Sequence, residues 1–207
     1  MLTLTRSHTP LMKKRRKKPE RGVTLTKAMS IHIEDPPTFP AHPFNAGDGC
    51  EFRPYWSYSP KLNGQRIVVH TPTGRCFDRE GGLLSGQDKI REAVLALRAI
   101  ASETWLDCEG MHGCLFVLDT IQRSTPFRDR KKIIEEQFPV FDVRKDPTPG
   151  TVYAVPEYSP DKAGEVWSLL FYRNRRIGKD FFGGMVGKEL ASPYPYQKVS
   201  PNLPTEY

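Results

Sequence analysis

The chain has 207 residues, 38% hydrophobic and 27% charged, with 19 prolines and a formal net charge of +7. That length suits one domain with a sizeable core, or one domain and a tail, and no run approaches the roughly 20 apolar residues of a membrane-spanning helix. The four cysteines, Cys50, Cys76, Cys108 and Cys114, form no CxxC pair, so they indicate neither a zinc ribbon nor a dithiol motif and fit reduced thiols in an intracellular protein.

The charge is concentrated. Residues 6–21 carry eight of the 31 basic residues and one of the 24 acids, which accounts for the whole surplus and leaves the remainder neutral. Residues 1–29 therefore read as a disordered basic tail, and 30–207 as the folded domain. The block Lys13, Lys14, Arg15, Arg16, Lys17 and Lys18 would attract nucleic-acid phosphates by counterion release, without reading sequence. The same block would also serve as a solubilising arm or as a nuclear or organellar targeting signal.

Residues 35–60, rich in proline and aromatics, read as an extended, irregular lead-in. Arg66 to Val69 and Arg75 to Phe77 read as strands joined by a turn at Thr73-Gly74. A helix starts at Ser85, with Ile90, Val94, Leu97 and Ile100 on one face. Thr104 to Asp107 and Cys114 to Thr120 are two further strands. Ser124 to Phe138 is a charged helix, and Val152 to Val155 a short strand ended by Pro156. Lys162 to Lys179 is helical, with Val166, Leu169 and Leu170 inward and Arg173, Arg175, Arg176 and Lys179 outward. A glycine-rich segment, Gly183 to Gly187, and a last strand near Tyr194 to Val199 complete an α+β pattern without internal repeats.

An ordered set of short motifs runs through these elements. Lys61-Leu62-Asn63-Gly64-Gln65-Arg66 comes first, then Asp78-Arg79-Glu80-Gly81. Leu106-Asp107-Cys108-Glu109 and Leu118-Asp119 follow. Phe182 to Lys188 and Tyr196-Gln197-Lys198-Val199 close the set, and Pro126 to Arg130 falls between. In this order they resemble the covalent nucleotidyltransferases, the phage-type ATP-dependent DNA ligases above all, with RNA ligases and mRNA capping enzymes related. The resemblance covers about residues 52–200. It implies a nucleotidyltransferase (ATP-grasp-like) core with two antiparallel sheets flanking a nucleotide groove, and no OB-fold domain. It also implies Lys61 as nucleophile for ATP, with Mg²⁺ or Mn²⁺, and nicked or broken DNA, or alternatively RNA, as substrate. Arg66, Arg79, Glu109, Lys188 and Lys198 would bind nucleotide. Phe116 would flank the base or belong to the core. Glu109 and Asp119 would bind metal. Arg79 would meet the nucleotide or a 5′-phosphate, and Arg173 and Arg176 the nucleic-acid backbone. A monomer is expected, with a partner as one source of a clamp or OB-fold function.

The chemistry is consistent with those residue types. Lysine attacks phosphorus only as the neutral amine, and free Lys titrates near 10.4. A buried Lys61 beside Arg66, Lys188, Lys198 and a metal would be activated, because desolvation and like charge favour the neutral form. Five positions depart from the family pattern. Asn63 replaces aspartate, Asp78 serine, Cys108 glycine, and Leu118 the aromatic before Asp119. Phe182 or Gly183 stands where a metal-binding glutamate is expected, with Asp180 the nearest carboxylate. The alternative functions are an RNA ligase, a capping-type guanylyltransferase, or a non-catalytic nucleic-acid-binding relative of the ligase core.

Overall fold

The computed structural model describes residues 52–194. The basic segment Lys13 to Lys18 and Lys198 lie outside the described residues. In chain order the elements are β1 (Trp56–Leu62), β2 (Gln65–His70), β3 (Arg75–Phe77), α1 (Arg91–Ile100), β4 (Trp105–Met111), β5 (Cys114–Thr120), α2 (Phe127–Gln137), β6 (Val152–Ala154), α3 (Pro160–Ile177) and β7 (Phe182–Glu189). Two sheets form: β1 pairs with β7, and a five-stranded sheet runs in the order β3-β2-β4-β5-β6. The larger sheet is not wholly antiparallel as expected, since β6 lies parallel to β5.

Strand β1 falls in the stretch expected to be irregular. Its Pro60 lies opposite Met185 in a two-stranded ribbon, where a missing N–H is tolerated as it would not be in a central strand. In β2, β4 and β5 the period of two divides the residues between two faces. Ile67, Val69, Leu106, Cys108, Leu115 and Val117 pack with Val94 and Leu97 of α1 and Ile134 of α2. Burying each aliphatic side chain of that size contributes about 1.5–3 kcal/mol. On the other face, Phe116, Phe141, Val155 and Phe181 join Leu62 of β1 and Val166 and Leu170 of α3 in a second core. That same face carries Arg66, Asp107 and Glu109 towards a gap between the sheets.

Local chain chemistry sets the connections. His112 and Gly113 both have positive φ and make the two-residue hairpin between β4 and β5. Helix α3 begins at Pro160 and stops at Gly178, whose φ is 63°, the usual placing of proline at a helix start and glycine beyond its end. Ile100, expected on the inner face of α1, is half exposed at the last helical residue.

Candidate active site

A groove of about 1060 Å³ lies between the two sheets. Lys61 lines it from the penultimate position of β1, where the ladder with β7 carries an irregularity. The side chain is exposed, not buried as expected. Among the described residues Lys61 makes no side-chain hydrogen bond and no ion pair.

The turn after Lys61 closes directly on β4. The Gly64 N–H donates to Glu109 Oε1 at 2.9 Å. A Cβ at Gly64 would lie 2.7 Å from the Gly110 carbonyl oxygen and 2.8 Å from Glu109 Cγ. Glycine is therefore required by close approach, and Glu109 is fixed on the wall facing the lysine turn. Burial pushes the Glu109 carboxyl up, and the Gly64 N–H, Arg66 and Lys61 pull it partly back.

Arg66, the strand partner of Glu109, is a bound cation. Its Nε donates to Asp107 Oδ1 at 2.6 Å, and its Nη2 donates to Asp107 Oδ2. The Tyr194 hydroxyl donates to the same Oδ2 at 2.9 Å. Burial works against the guanidinium charge, but Asp107 outweighs it and holds Arg66 above its ordinary value. Arg79 differs. It sits in the loop after β3, where Asp78 Oδ1 accepts the N–H groups of Glu80 at 3.0 Å and Gly82 at 2.7 Å. This is an aspartate turn, and Asp78 in place of serine builds it. Arg79 lines the groove and, among the described residues, makes no ion pair or side-chain hydrogen bond.

At the groove floor, Asp119 is 2% exposed and Arg130 is 1% exposed. Arg130 donates through Nε and Nη2 to the two Asp119 oxygens, at 2.7 and 3.1 Å. Lys188 Nζ lies 3.0 Å from the Leu118 carbonyl and 3.4 Å from Asp119 Oδ2, over the Phe127 ring. Both Asp119 oxygens are thus taken by cations. The donor set does not fit Asp119 as a metal ligand, and one oxygen of Glu109 is already held by Gly64. Among the described residues no group of three His, Cys, Asp or Glu side chains could hold a metal ion.

Phe116 is fully buried against Phe141 and Tyr153, with ring centroids 5.0 and 5.6 Å away. It does not reach the groove. Leu118, two residues on and on the same face, lines the groove, with Trp56 and Val186 as further apolar wall. Asp180 is exposed and off the groove wall. Asn63 Nδ2 donates to its carbonyl at 2.8 Å, and a Cβ at Gly183 would meet Asn63 Oδ1 well inside contact distance. On α3, Arg173 is buried, donates to the Arg144 carbonyl and pairs with Asp146 at 2.6 Å. It therefore does not present its charge outward, whereas Arg176 is exposed.

Four groove residues were not singled out from sequence. Asp107 shares the strand face of Glu109, two residues on, so the period of two could have found it. Arg130 stands within the quoted Pro126 to Arg130 segment. Trp56 and Tyr194 gave no local signal.

No protein-family model matches the sequence, and no curated protein matches it. Among solved structures the chain is similar in fold to ATP-dependent DNA ligase domains. One belongs to the Lig E DNA ligases, described as binding DNA with a minimal scaffold: 11% identity, TM-score 0.45, covering 68% of this chain and 57% of that one. A second is the ligase domain of M. tuberculosis LigD: 17% identity, TM-score 0.42, 70% and 50% covered. A third is a mycobacterial DNA ligase D complexed with ATP: 17% identity, TM-score 0.43, again 70% and 50%. This chain spans about half the length of those ligase chains. The likenesses are loose and of fold alone, so residue roles rest on the groove itself.

Proposed function

We propose that the groove binds ATP and that Lys61 is the nucleophile of a polynucleotide ligase core. The observation that carries this reading is the contrast among the groove cations. Arg66 and Lys188 are tied to carboxylates, while Lys61 and Arg79 project into a nucleotide-sized groove without one. A groove lined by two uncommitted cations is suited to an anionic phosphate chain.

In the first step the neutral Lys61 amine attacks the α-phosphorus. The N–P bond forms as the P–O bond to pyrophosphate breaks, and the amine proton passes to solvent. Catalysis of this kind needs positioning and charge neutralisation more than covalent help from the protein. A 5′-phosphate oxygen of the polynucleotide next attacks the same phosphorus, and the N–P bond breaks to regenerate the amine. Last, the 3′-hydroxyl attacks the activated 5′-phosphate, and AMP leaves. Glu109 is placed to accept from ribose hydroxyls beside the lysine turn. Arg79 meets a phosphate, which suits its two-pronged donor. Leu118, Val186 and Trp56 supply the apolar walls for the base, a part assigned to Phe116 from sequence. Mg²⁺, if bound, would be held mainly by the nucleotide phosphates and would shield their charge, since Asp107 and Asp119 are already paired with cations. Lys198 is expected to add a further phosphate contact.

The test is incubation with α-labelled ATP and Mg²⁺, followed by denaturing electrophoresis. The protein should retain label, and Lys61→Ala should lose it. Labelling by GTP alone would make it a guanylyltransferase, and labelled RNA ends sealed in place of DNA would make it an RNA ligase. No label with either nucleotide leaves a non-catalytic nucleic-acid-binding relative, the reading that Phe182 or Gly183 in place of the expected glutamate favours.

A further inference from the structure

Helix α3 carries an exposed aromatic and basic face that the groove does not use. Trp167 is 50% exposed, Phe171 62% and Tyr172 64%. These three are among the largest exposed apolar side chains of the described residues, and all stand on one helix. Trp167 and Phe171 are four residues apart, so they follow one another along one side at about 6 Å. The next residue in that row, Arg175, holds its guanidinium 5.9 Å from the Phe171 ring centroid. Arg176 and Lys179 continue the positive charge, against one exposed acid, Asp180, in the stretch from 167 to 180. The inner side of the helix is committed elsewhere: Ala163, Val166 and Leu170 enter the core, and Arg173 is paired with Asp146.

The row also has a direction. A Cβ on Gly184 would lie 3.4 Å from the Trp167 ring, and Gly184 is the strand partner of Lys61. The aromatic row therefore starts beside the β1–β7 ladder that holds the candidate nucleophile, and its cations lie towards the far end of the helix.

We infer that this face of α3 is a platform for a single strand of nucleic acid, with bases stacked on Phe171, Tyr172 and Trp167 and phosphates held by Arg175, Arg176 and Lys179. The inference extends the ligase reading to where the polynucleotide lies, and it does not need the chemistry at Lys61. Aromatic faces spaced by about one helical turn suit an unstacked strand, since each ring can take a base of any kind. The exposed surplus of cations selects a polyanion over a neutral apolar peptide. Arg beside an aromatic ring is a pairing that serves both base and phosphate.

The test uses the full chain and fluorescein-labelled oligothymidylate, with anisotropy measured at several salt concentrations. Phe171→Ala/Tyr172→Ala should bind about tenfold more weakly or worse at fixed salt, with the salt slope kept. Arg175→Ala/Arg176→Ala should bind more weakly and reduce the slope by about one to two. Both double variants should still form the Lys61 adduct with labelled ATP, if the wild type does. A wild type without adduct but with these affinity losses would remove the ligase reading and leave the platform standing. Unchanged affinity in the aromatic double variant would overturn the platform. So would a variant that binds oligonucleotide normally while a wild-type dimer becomes monomeric in sedimentation, which would make the face a contact between copies.

Discussion

Arg130→Met is a direct test of how the groove floor is held. Arg130 is almost fully buried, and its partner Asp119 is equally so. Removing the cation leaves a buried carboxylate with Lys188 as its remaining cation, at 3.4 Å, and the Thr120 N–H as its other donor, at 2.9 Å. The Thr125 carbonyl and the Ser192 carbonyl each also lose a donor. Breaking a buried ion pair from one side costs about 3–5 kcal/mol. Lys188 offsets part of this and the two lost carbonyl contacts add to it, so we expect about 4 kcal/mol. With a urea slope of about 2 kcal/mol per molar, the midpoint should fall by about 2 M. The companion Arg130→Met/Asp119→Leu replaces both charges by apolar groups and should recover most of the loss, because it leaves no buried carboxylate unpaired and the partly exposed Lys188 keeps the Leu118 carbonyl. Arg130→Lys should fall between. A single variant within about 1 kcal/mol of wild type, or a double variant no more stable than the single, would refute the ion-pair account.

Two further predictions concern groups beside the groove. Gly183→Ala places a Cβ against Asn63 Oδ1, so Asn63 must turn and give up its bond to the Asp180 carbonyl. The cost should be about 1 kcal/mol by urea titration and should vanish when Asn63→Gly is already present. Glu157 is pushed above its ordinary value by burial, with Lys188, Lys131 and the Ser57 hydroxyl opposing. The folded state thus keeps a proton on this carboxyl at pH values where the unfolded chain has released it. That contribution is complete below about 4.5 and is lost as pH rises through the raised value. In melts from pH 4.5 to 7.5, wild type should lose stability relative to Glu157→Gln; parallel curves would contradict the assignment.

The central strands could be read from sequence because their apolar and strand-forming residues are local signals. Leu106, Cys108, Leu115 and Val117 point one way, while Asp107 and Glu109 point the other. Strand β1 could not be read so, because Ser59-Pro60 weakens a strand signal and its pairing with β7 joins residues more than 100 positions apart. Period two also put Phe116 and Leu118 on one face, as they are, without saying which of them reaches the rim. That depends on Phe141, Tyr153 and Phe181 closing over Phe116, and their arrival belongs to the tertiary fold. Arg173 shows the converse. Its spacing from Val166 and Leu170 places it inward, and only its charge argued for an outward position. The inward position is possible because Asp146 and the Arg144 carbonyl receive the guanidinium, and no local pattern announces that loop.

Asn63 and Gly183 are coupled in the structure. Asn63 holds two strands together: its own N–H bonds to the Phe181 carbonyl at 3.1 Å, and its side-chain amide bonds to the Asp180 carbonyl. Both acceptors lie just before β7, so the Lys61 turn is tied to the start of the strand that brings Lys188 to the groove. The Asn63 carboxamide occupies the space that a side chain at 183 would need. A side chain at 183 and this Asn63 contact therefore compete for the same space. An acidic residue at 63 would lack the donor that the Asp180 carbonyl requires. Asn63 and Gly183 therefore act together as a clamp between the Lys61 turn and the start of β7. Gly183→Glu should therefore displace Asn63 and lower stability by at least as much as Gly183→Ala in the same urea titration.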